Sequence, residues 1–169
     1  YLWSPPALWF LVCCLVLLLF QANNKKALLA GAVATILSML ILLWPMGLEK
    51  RIYSPYQLIQ YTVSEKNLEI SAAGLFYLRG IDLREDSIKK YNNPYFPIMK
   101  RYYELPYDVH PAFKSVLIVG SGAGNDVAAA LRRGAESVDA IDIDPAIMEL
   151  GRRHHPEQPY LDSRVTTGV

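Results

Sequence analysis

The N-terminal part of the sequence has almost no charge. Lys25 and Lys26 are the only charged side chains among the first 48 residues, and the other 15 basic and all 16 acidic side chains follow residue 48. This later part is nearly neutral and gives no reason to expect a nucleic-acid partner. The contrast predicts a membrane segment followed by an ordinary soluble segment.

Cysteine is also scarce. Cys13 and Cys14 are the only two, and they are adjacent within an apolar run. Neighbouring cysteines in such a run are usually small apolar side chains, so we assign them no disulfide, redox role or metal site. His154 and His155 are neighbours in the sequence, so we expect their side chains to point apart, and we assign no metal ligand to them either.

Two long uncharged runs, residues 1–22 and 27–48, flank the turn that contains the two lysines. As a helix the second run would span roughly 33 Å, which is enough to cross a bilayer. We predict a transmembrane helical hairpin over residues 1–48, with helices at about 5–22 and 27–48. A removed signal peptide is the alternative for one run, but two runs in tandem favour the hairpin.

Residues 49–112 predict a small β-rich domain and a linker. β-Branched and aromatic residues indicate strands at Tyr56–Val63, Leu68–Ser71 and Leu75–Leu78. Residues 82–90 read as a solvated loop or a short helix, and a helix is expected from Ile98 to Leu105, before Pro106. The tyrosines of this linker either wall a substrate pocket or pack at a domain seam.

Residues 113–169 predict the start of a Rossmann-like parallel sheet. A buried strand from Ser115 to Val119 leads to glycines at 120, 122 and 124, a helix follows from Asn125, and Gly134 ends it. A second strand ends at Asp142. The next helix begins at Asp144 and Pro145 and is closed by Gly151 and the basic Arg152 and Arg153, and a third strand follows at the end of the sequence.

The glycine spacing separates two classes of ligand. Dinucleotide sites usually have G-x-G-x-x-G, whereas this loop is G-x-G-x-G, with Asn125 next and an acid, Asp126, in the first helical turn. The spacing therefore favours an S-adenosylmethionine-type nucleoside over a nicotinamide dinucleotide. Asp142 is placed to accept hydrogen bonds from a ribose diol. A plain glycine-rich turn is the alternative.

These features together resemble the spermidine synthase family. The matching residues are Ser54-Pro55-Tyr56-Gln57, a tyrosine-rich linker, the stretch from Val116 to Gly124 and the stretch from Ala140 to Pro145. With apolar helices in front, the sequence looks like the bacterial membrane-bound branch of that family. The resemblance covers about residues 50–169.

The resemblance implies a fold, a reaction and a site. The fold is a small β domain on a Rossmann-like domain, and the reaction moves an aminopropyl group from decarboxylated S-adenosylmethionine to a polyamine acceptor such as putrescine. Tyr95 is the matched candidate near the amine, and the expected catalytic carboxylate lies beyond Val169. No metal is implied. The residues implied to bind the nucleoside are Gln57, Gly120, Ser121, Gly122, Ala123, Gly124, Asp142 and Ile143.

The sequence departs from the family at two positions. Ala123 stands where the family usually has an aspartate that binds the terminal ammonium of the cofactor, and Tyr95-Phe96 lacks the polar partner of the family's pair. Losing the acid removes a charge-assisted hydrogen bond, worth about 1.5–3 kcal/mol. A methyltransferase that uses S-adenosylmethionine, or a non-catalytic membrane protein with a nucleoside-binding domain, therefore remains an alternative.

The cofactor class also sets the expected location. S-adenosylmethionine and its relatives are cytosolic, so we expect a multi-pass protein of the bacterial inner membrane with residues after 48 in the cytoplasm. The expected partners are the lipid bilayer and a small amine, with a homodimer as an open alternative. The sequence reads as a fragment of a longer protein, and we expect residues 1–169 alone to be inactive, with an incompletely closed ligand site.

Overall fold

The computed structural model describes residues 4–43 and 50–169. The chain divides into two compact units, Tyr1–Glu49 and Lys50–Val169. The described part of the first unit, residues 4–43, contains two helices, and the second unit contains both sheets and the remaining helices.

Helices α1 (Pro6–Phe20) and α2 (Lys25–Leu42) form the first unit and contact each other. Asn24 caps α2, because its side chain accepts hydrogen bonds from the backbone N–H groups of Lys26 and Ala27. Gly31 permits close contact between the helices, since a Cβ there would lie 2.8 Å from a methyl carbon of Leu18. The predicted pair of N-terminal helices is confirmed.

One of these helices is long and apolar enough to cross a membrane. α2 meets that requirement by length and composition, whereas α1 has only 15 residues. α1 ends at Phe20, slightly short of the predicted range of about 5–22, because the chain turns at Gln21, whose carbonyl accepts from the N–H of Asn24. The predicted end of the second helix lies outside the described residues. A two-pass span stays a prediction.

A four-stranded antiparallel sheet begins the second unit. Its strands, in spatial and sequence order, are β1 (Lys50–Tyr53), β2 (Leu58–Val63), β3 (Asn67–Ala72) and β4 (Leu75–Ile81). The sequence did not predict β1, which carries two basic residues in four. Buried Ser54 holds the β1–β2 turn, because its hydroxyl accepts from the N–H groups of Tyr56 and Gln57. The predicted small antiparallel unit is confirmed.

A three-stranded parallel sheet completes the second unit. Its order is β5 (Ser115–Val119), β6 (Ser137–Ile141), β7 (Val165–Gly168). α5 (Asn125–Arg132) and α6 (Pro145–His154) make the two crossovers. The alternation of strand and helix is the expected α/β, Rossmann-like arrangement.

Helices α3 (Glu85–Tyr91) and α4 (Tyr95–Val109) connect the two sheets along the chain. α4 continues past Pro106, so the predicted end at Leu105 is wrong. A proline inside a helix costs about 3 kcal/mol. Burial of Tyr107 in the core, in the part of the helix that follows the proline, offsets part of that cost.

α6 continues past Gly151 to His154, so Arg152 and Arg153 lie in its last turn as predicted, but the prediction that Gly151 helps to end it is wrong. A Cβ at position 151 would lie 2.8 Å from the carbonyl carbon of Ala123 and from the ring of Tyr160. Glycine is needed here because α6 presses against the glycine loop. The apolar face of α6 also meets the antiparallel sheet, in a cluster of Ile59, Leu68, Ile70, Ala123, Ala146, Ile147 and Leu150.

Candidate functional site

The glycine loop leaves the carboxyl end of β5 and leads into α5. Gly120, Gly122 and Gly124 all have positive φ, and the N–H groups of Gly120 and Ser121 donate to the carbonyl of Ile141. A Cβ on Gly124 would lie 2.9 Å from Pro159, so the loop and the short 3-10 helix Pro159–Leu161 approach too closely for a side chain. Backbone conformation and packing therefore both require glycine in this loop.

Asp142 ties the loop to the end of β6. One carboxylate oxygen accepts from the N–H of Gly122 at 2.7 Å, and the other accepts from the N–H of Asp144 at 2.9 Å. A carboxylate has about four lone-pair sites, so each oxygen can accept one more hydrogen bond. Asp142 thus orders the loop and still has capacity for a ligand hydroxyl.

A cavity of about 420 Å³ lies at the carboxyl ends of β5 and β6. We call it the nucleoside cavity, after the ligand class that the sequence predicts for this edge of the sheet. Four predicted binding residues line it: Gly120, Gly122, Asp142 and Ile143. The other lining residues are Tyr77, Leu78, Val119, Ile141, Ile147 and Val169. In parallel α/β sheets this edge is where ligands bind.

The other four predicted binding residues do not line this cavity. Ser121 and Ala123 are buried, and Gly124 packs against Pro159. Gln57 lies in the β1–β2 turn, where its N–H and carbonyl bind the Ser54 hydroxyl. Successive residues of this loop point in different directions, so only some of the predicted residues reach the cavity.

Ala123 is the most informative of these. Its side chain belongs to the apolar cluster that includes Ile147 and Leu78, two residues that line the cavity. Position 123 is therefore covered by side chains of the cavity wall. An aspartate in this environment would be desolvated, and alanine fits without that cost.

Tyr160 supports the glycine loop from the buried side, a role that the sequence did not reveal. Its hydroxyl lies 2.8 Å from the carbonyl oxygen of Gly122 and 3.0 Å from the hydroxyl of Ser121. Burial raises the pKa of Tyr160 to about 12, although the hydrogen bond with Ser121 lowers it. The phenol therefore stays protonated and can donate to the loop.

A second cavity of about 410 Å³ is next to the first. Tyr77 and Leu78 of β4 line both. We call the second one the acceptor cavity, because its wall includes Tyr95, the residue predicted to lie near the amine. Its other lining residues are Phe76, Arg79, Ile81, Asn93, Tyr95, Phe96, Met99 and Tyr103.

The acceptor cavity divides the tyrosines of the linker into two groups. Tyr95 and Tyr103 line it, whereas Tyr107 is buried in the core and Tyr91 packs edge-on against Phe96. Two of these tyrosines therefore line a cavity and two pack within the fold, and a substrate in that cavity stays a prediction. Arg79 is the cation of the cavity wall, and it pairs with Glu69 at 2.6 Å.

Comparison with known proteins shows the fold. No protein-family model matches the chain, and no curated protein matches it by sequence. Spermidine synthase from Thermotoga maritima matches with a TM-score of 0.50 and 21% identity, over 71% of this chain and 41% of that one. A spermidine synthase in complex with the transition state analogue AdoDATO matches with the same TM-score and identity, over 71% and 39%.

The chain spans about two fifths of the length of these solved structures. At this level of identity the likeness concerns the fold. The resemblance read from the sequence is confirmed in that sense, and membership of a membrane-bound branch stays a prediction. Over the matched 71% of its length, this chain has the fold of the spermidine synthases.

Proposed function

We propose that the protein transfers an aminopropyl group from decarboxylated S-adenosylmethionine to an amine. The donor would occupy the nucleoside cavity and the amine would occupy the acceptor cavity. The observation that carries the proposal is that the two cavities adjoin and share Tyr77 and Leu78. A two-substrate transfer needs such adjacent sites, and the spermidine synthase fold supports the choice of reaction.

The residues of the nucleoside cavity suit an adenosyl sulfonium. The apolar side chains of Ile141, Ile143 and Ile147 can pack against an adenine ring, and Asp142 can accept from the ribose diol. Gly120 and Gly122 leave room for a ligand to approach the backbone. Asp142 is also the cavity-lining carboxylate among the described residues, and its negative charge complements a sulfonium cation.

The proposed reaction is a direct displacement. The lone pair of the amine forms a C–N bond with the carbon next to sulfur, the C–S bond breaks, and its electron pair stays on sulfur in a neutral thioether. The new ammonium then loses a proton to a base. The residues of the two cavities would align amine, carbon and sulfur, because reacting atoms must approach to about 3–3.5 Å.

The acceptor cavity suits an alkylammonium or amine. Its wall includes the rings of Phe76, Tyr77, Tyr95, Phe96 and Tyr103, and aromatic faces attract ammonium groups. Tyr95 can donate or accept a hydrogen bond at the amine, which makes it the residue we propose to orient the acceptor. We assign no general base among the described residues, because no carboxylate lines the acceptor cavity and Asp142 is assigned to the ribose.

Ala123 supports a second candidate, methyl transfer from S-adenosylmethionine. The wall near position 123 is apolar and offers no acid for the terminal ammonium of the aminopropyl chain. A methyl donor keeps the same adenosyl group and sulfonium, so the nucleoside cavity suits both donors. Which one the protein prefers is decided by measurement of the products.

The test incubates the full-length protein with each donor and putrescine and identifies products by mass spectrometry. We expect an aminopropylated amine and methylthioadenosine from the decarboxylated donor. Methylated product from S-adenosylmethionine alone would favour the second candidate. Binding of either donor without turnover would favour a non-catalytic protein and contradict the proposal.

Two glycine variants control this experiment. Gly122→Val places a side chain in the cavity wall, 3.3 Å from Leu78, whereas Gly134 also has a positive φ but a Cβ there would meet nothing within 4 Å. We expect Gly122→Val to abolish transfer and Gly134→Val to retain it.

We also propose that α2 anchors the protein in a membrane. The length and apolar composition of α2 support this proposal. A two-pass anchor in a bacterial inner membrane, a cytoplasmic second unit and a homodimer stay predictions. Carbonate extraction of membranes tests the anchor, because an anchored protein remains in the pellet.

A further inference from the structure

Asn125, the first residue of α5, makes four hydrogen bonds through its side-chain amide. Oδ1 accepts from the backbone N–H of Ile81 and from Nε2 of His155, both at 3.0 Å. Nδ2 donates to the carbonyl oxygen of Arg79 at 2.6 Å and to the hydroxyl of Tyr103 at 3.0 Å. An amide group has two donor hydrogens and two acceptor lone pairs, so its full capacity is used.

His155 fixes the orientation of this amide. The imidazole is 1% exposed, and its Nδ1 accepts from the N–H of Glu157 at 3.1 Å. The proton of the neutral ring is therefore on Nε2, which donates to Asn125 Oδ1. Gly80 permits this arrangement, because a Cβ there would lie 2.8 Å from the imidazole.

Three of the four partners of Asn125 belong to the wall of the acceptor cavity. These are Arg79, Ile81 and Tyr103. On its other side, Asn125 directly follows Gly124, the last glycine of the loop that contributes Gly120 and Gly122 to the nucleoside cavity. One side chain therefore joins the walls of both cavities.

We propose that Asn125 is a positioning residue for the transfer reaction, because it holds the acceptor cavity in register with the nucleoside cavity. This inference rests on the proposed function. Asn125 acts through Arg79, Ile81 and Tyr103 rather than by touching either substrate. Displacement needs in-line alignment, and a misplacement of about 1 Å can lower the rate about 100-fold.

The test compares two Asn125 variants with a matched control in the full-length protein. Asn125→Ala removes all four hydrogen bonds, and Asn125→Asp keeps the acceptors but places a carboxylate oxygen against the carbonyl of Arg79. The control is Glu104→Gln. Glu104 is also buried and joins α4 to α5 through Arg132, but this contact does not include β4.

We expect kcat to fall about 10- to 100-fold in both Asn125 variants, while the KM of the sulfonium donor changes less than about 3-fold. Glu104→Gln should lower Tm about as much as the Asn125 variants do, but its kcat should stay near that of the wild type. An equal loss of kcat in Glu104→Gln would show a general effect of stability and overturn the proposal. Unchanged kcat in the Asn125 variants would also overturn it.

A second measurement does not depend on the reaction. Amide hydrogen exchange at the end of β4 should accelerate in Asn125→Ala relative to Glu104→Gln, because Ile81 loses the acceptor of its N–H. Equal exchange in the two variants would overturn the role of Asn125. If the wild type shows no turnover, the proposed function fails, and hydrogen exchange alone decides whether Asn125 holds β4 in place.

Discussion

The two cavities share Tyr77 and Leu78 of β4, but the rest of their walls comes from different parts of the chain. The nucleoside cavity has two glycines of the loop and the ends of two parallel strands in its wall, so much of its shape comes from backbone. The acceptor cavity is lined mostly by side chains from β4, α4 and the connection before α4. The shape of the backbone follows from local sequence, whereas the wall of the acceptor cavity depends on how separate elements pack. We therefore expect the first cavity to tolerate fewer substitutions than the second.

The largest expected effect concerns the nucleoside cavity and comes from a substitution in α6, where this helix packs against the glycine loop. Gly151→Val places a Cβ against the Ala123 carbonyl and the Tyr160 ring, and the carbonyl belongs to backbone that cannot turn away. We expect unfolding free energy to fall by about 3 kcal/mol, with weaker nucleoside binding. Denaturation in detergent, followed by circular dichroism, measures this effect.

The matched control is Glu149→Val, which puts the same β-branched residue on the partly exposed side of α6. Its cost should stay below about 1 kcal/mol. Similar losses in the two variants would mean that α6 does not need close contact with the loop.

His155 sharpens the comparison at the junction of the two cavities. Burial lowers the pKa of His155 from 6.5 to about 3, so the folded protein keeps this ring neutral where the unfolded chain binds a proton. Its contribution to stability is full above pH 6.5 and is lost as the pH falls toward 3. Between pH 7 and 4.5 the loss from this group is about 2–3 kcal/mol.

The variant His155→Gln removes this titration. Its unfolding free energy should therefore fall less steeply between pH 7 and 4.5 than that of the wild type, while the carboxylates contribute equally to both proteins. Parallel pH profiles would contradict a buried, neutral His155.

A smaller effect is expected from Tyr160→Phe. The substitution keeps the ring against Gly124 and Gly151 but removes the hydroxyl that meets Gly122 and Ser121. We expect a loss of about 1 kcal/mol in unfolding free energy, and a lower nucleoside affinity, since the loop loses a support. Thermal unfolding and calorimetric titration measure the two effects, and unchanged affinity would show that the loop holds its shape without Tyr160.

The smallest effect is expected in the side-chain-built cavity. Tyr95 is 70% exposed, so Tyr95→Phe should leave stability within about 0.5 kcal/mol. We expect the KM of the amine to rise a few-fold and donor binding to stay unchanged, because the ring remains and only the hydroxyl is lost. If the affinity for the donor changed instead, Tyr95 would contact the donor, which would contradict its assignment to the acceptor cavity.

The sequence predicted the parts of this site that depend on local chemistry. Glycine spacing, a strand before it and an acid after the next strand were enough to place Gly120, Gly122 and Asp142 together. The residues that depend on tertiary packing were missed. Tyr160 is remote in sequence from the loop that it supports, and no local pattern distinguishes His155 as the partner of Asn125. The apolar environment of Ala123 could not be predicted either, because the direction of a side chain in a loop depends on what packs against it.

The most direct measurement is calorimetric titration of the full-length protein and its Asp142→Asn variant with decarboxylated S-adenosylmethionine. The variant keeps the shape of the side chain but loses the charge that the ligand and the loop share. We predict that the wild type binds and that the variant binds about 10- to 100-fold more weakly, as expected for a charge-assisted hydrogen bond. Equal affinity in the two proteins, or no binding by the wild type, would contradict an adenosyl-sulfonium site between the glycine loop and Asp142.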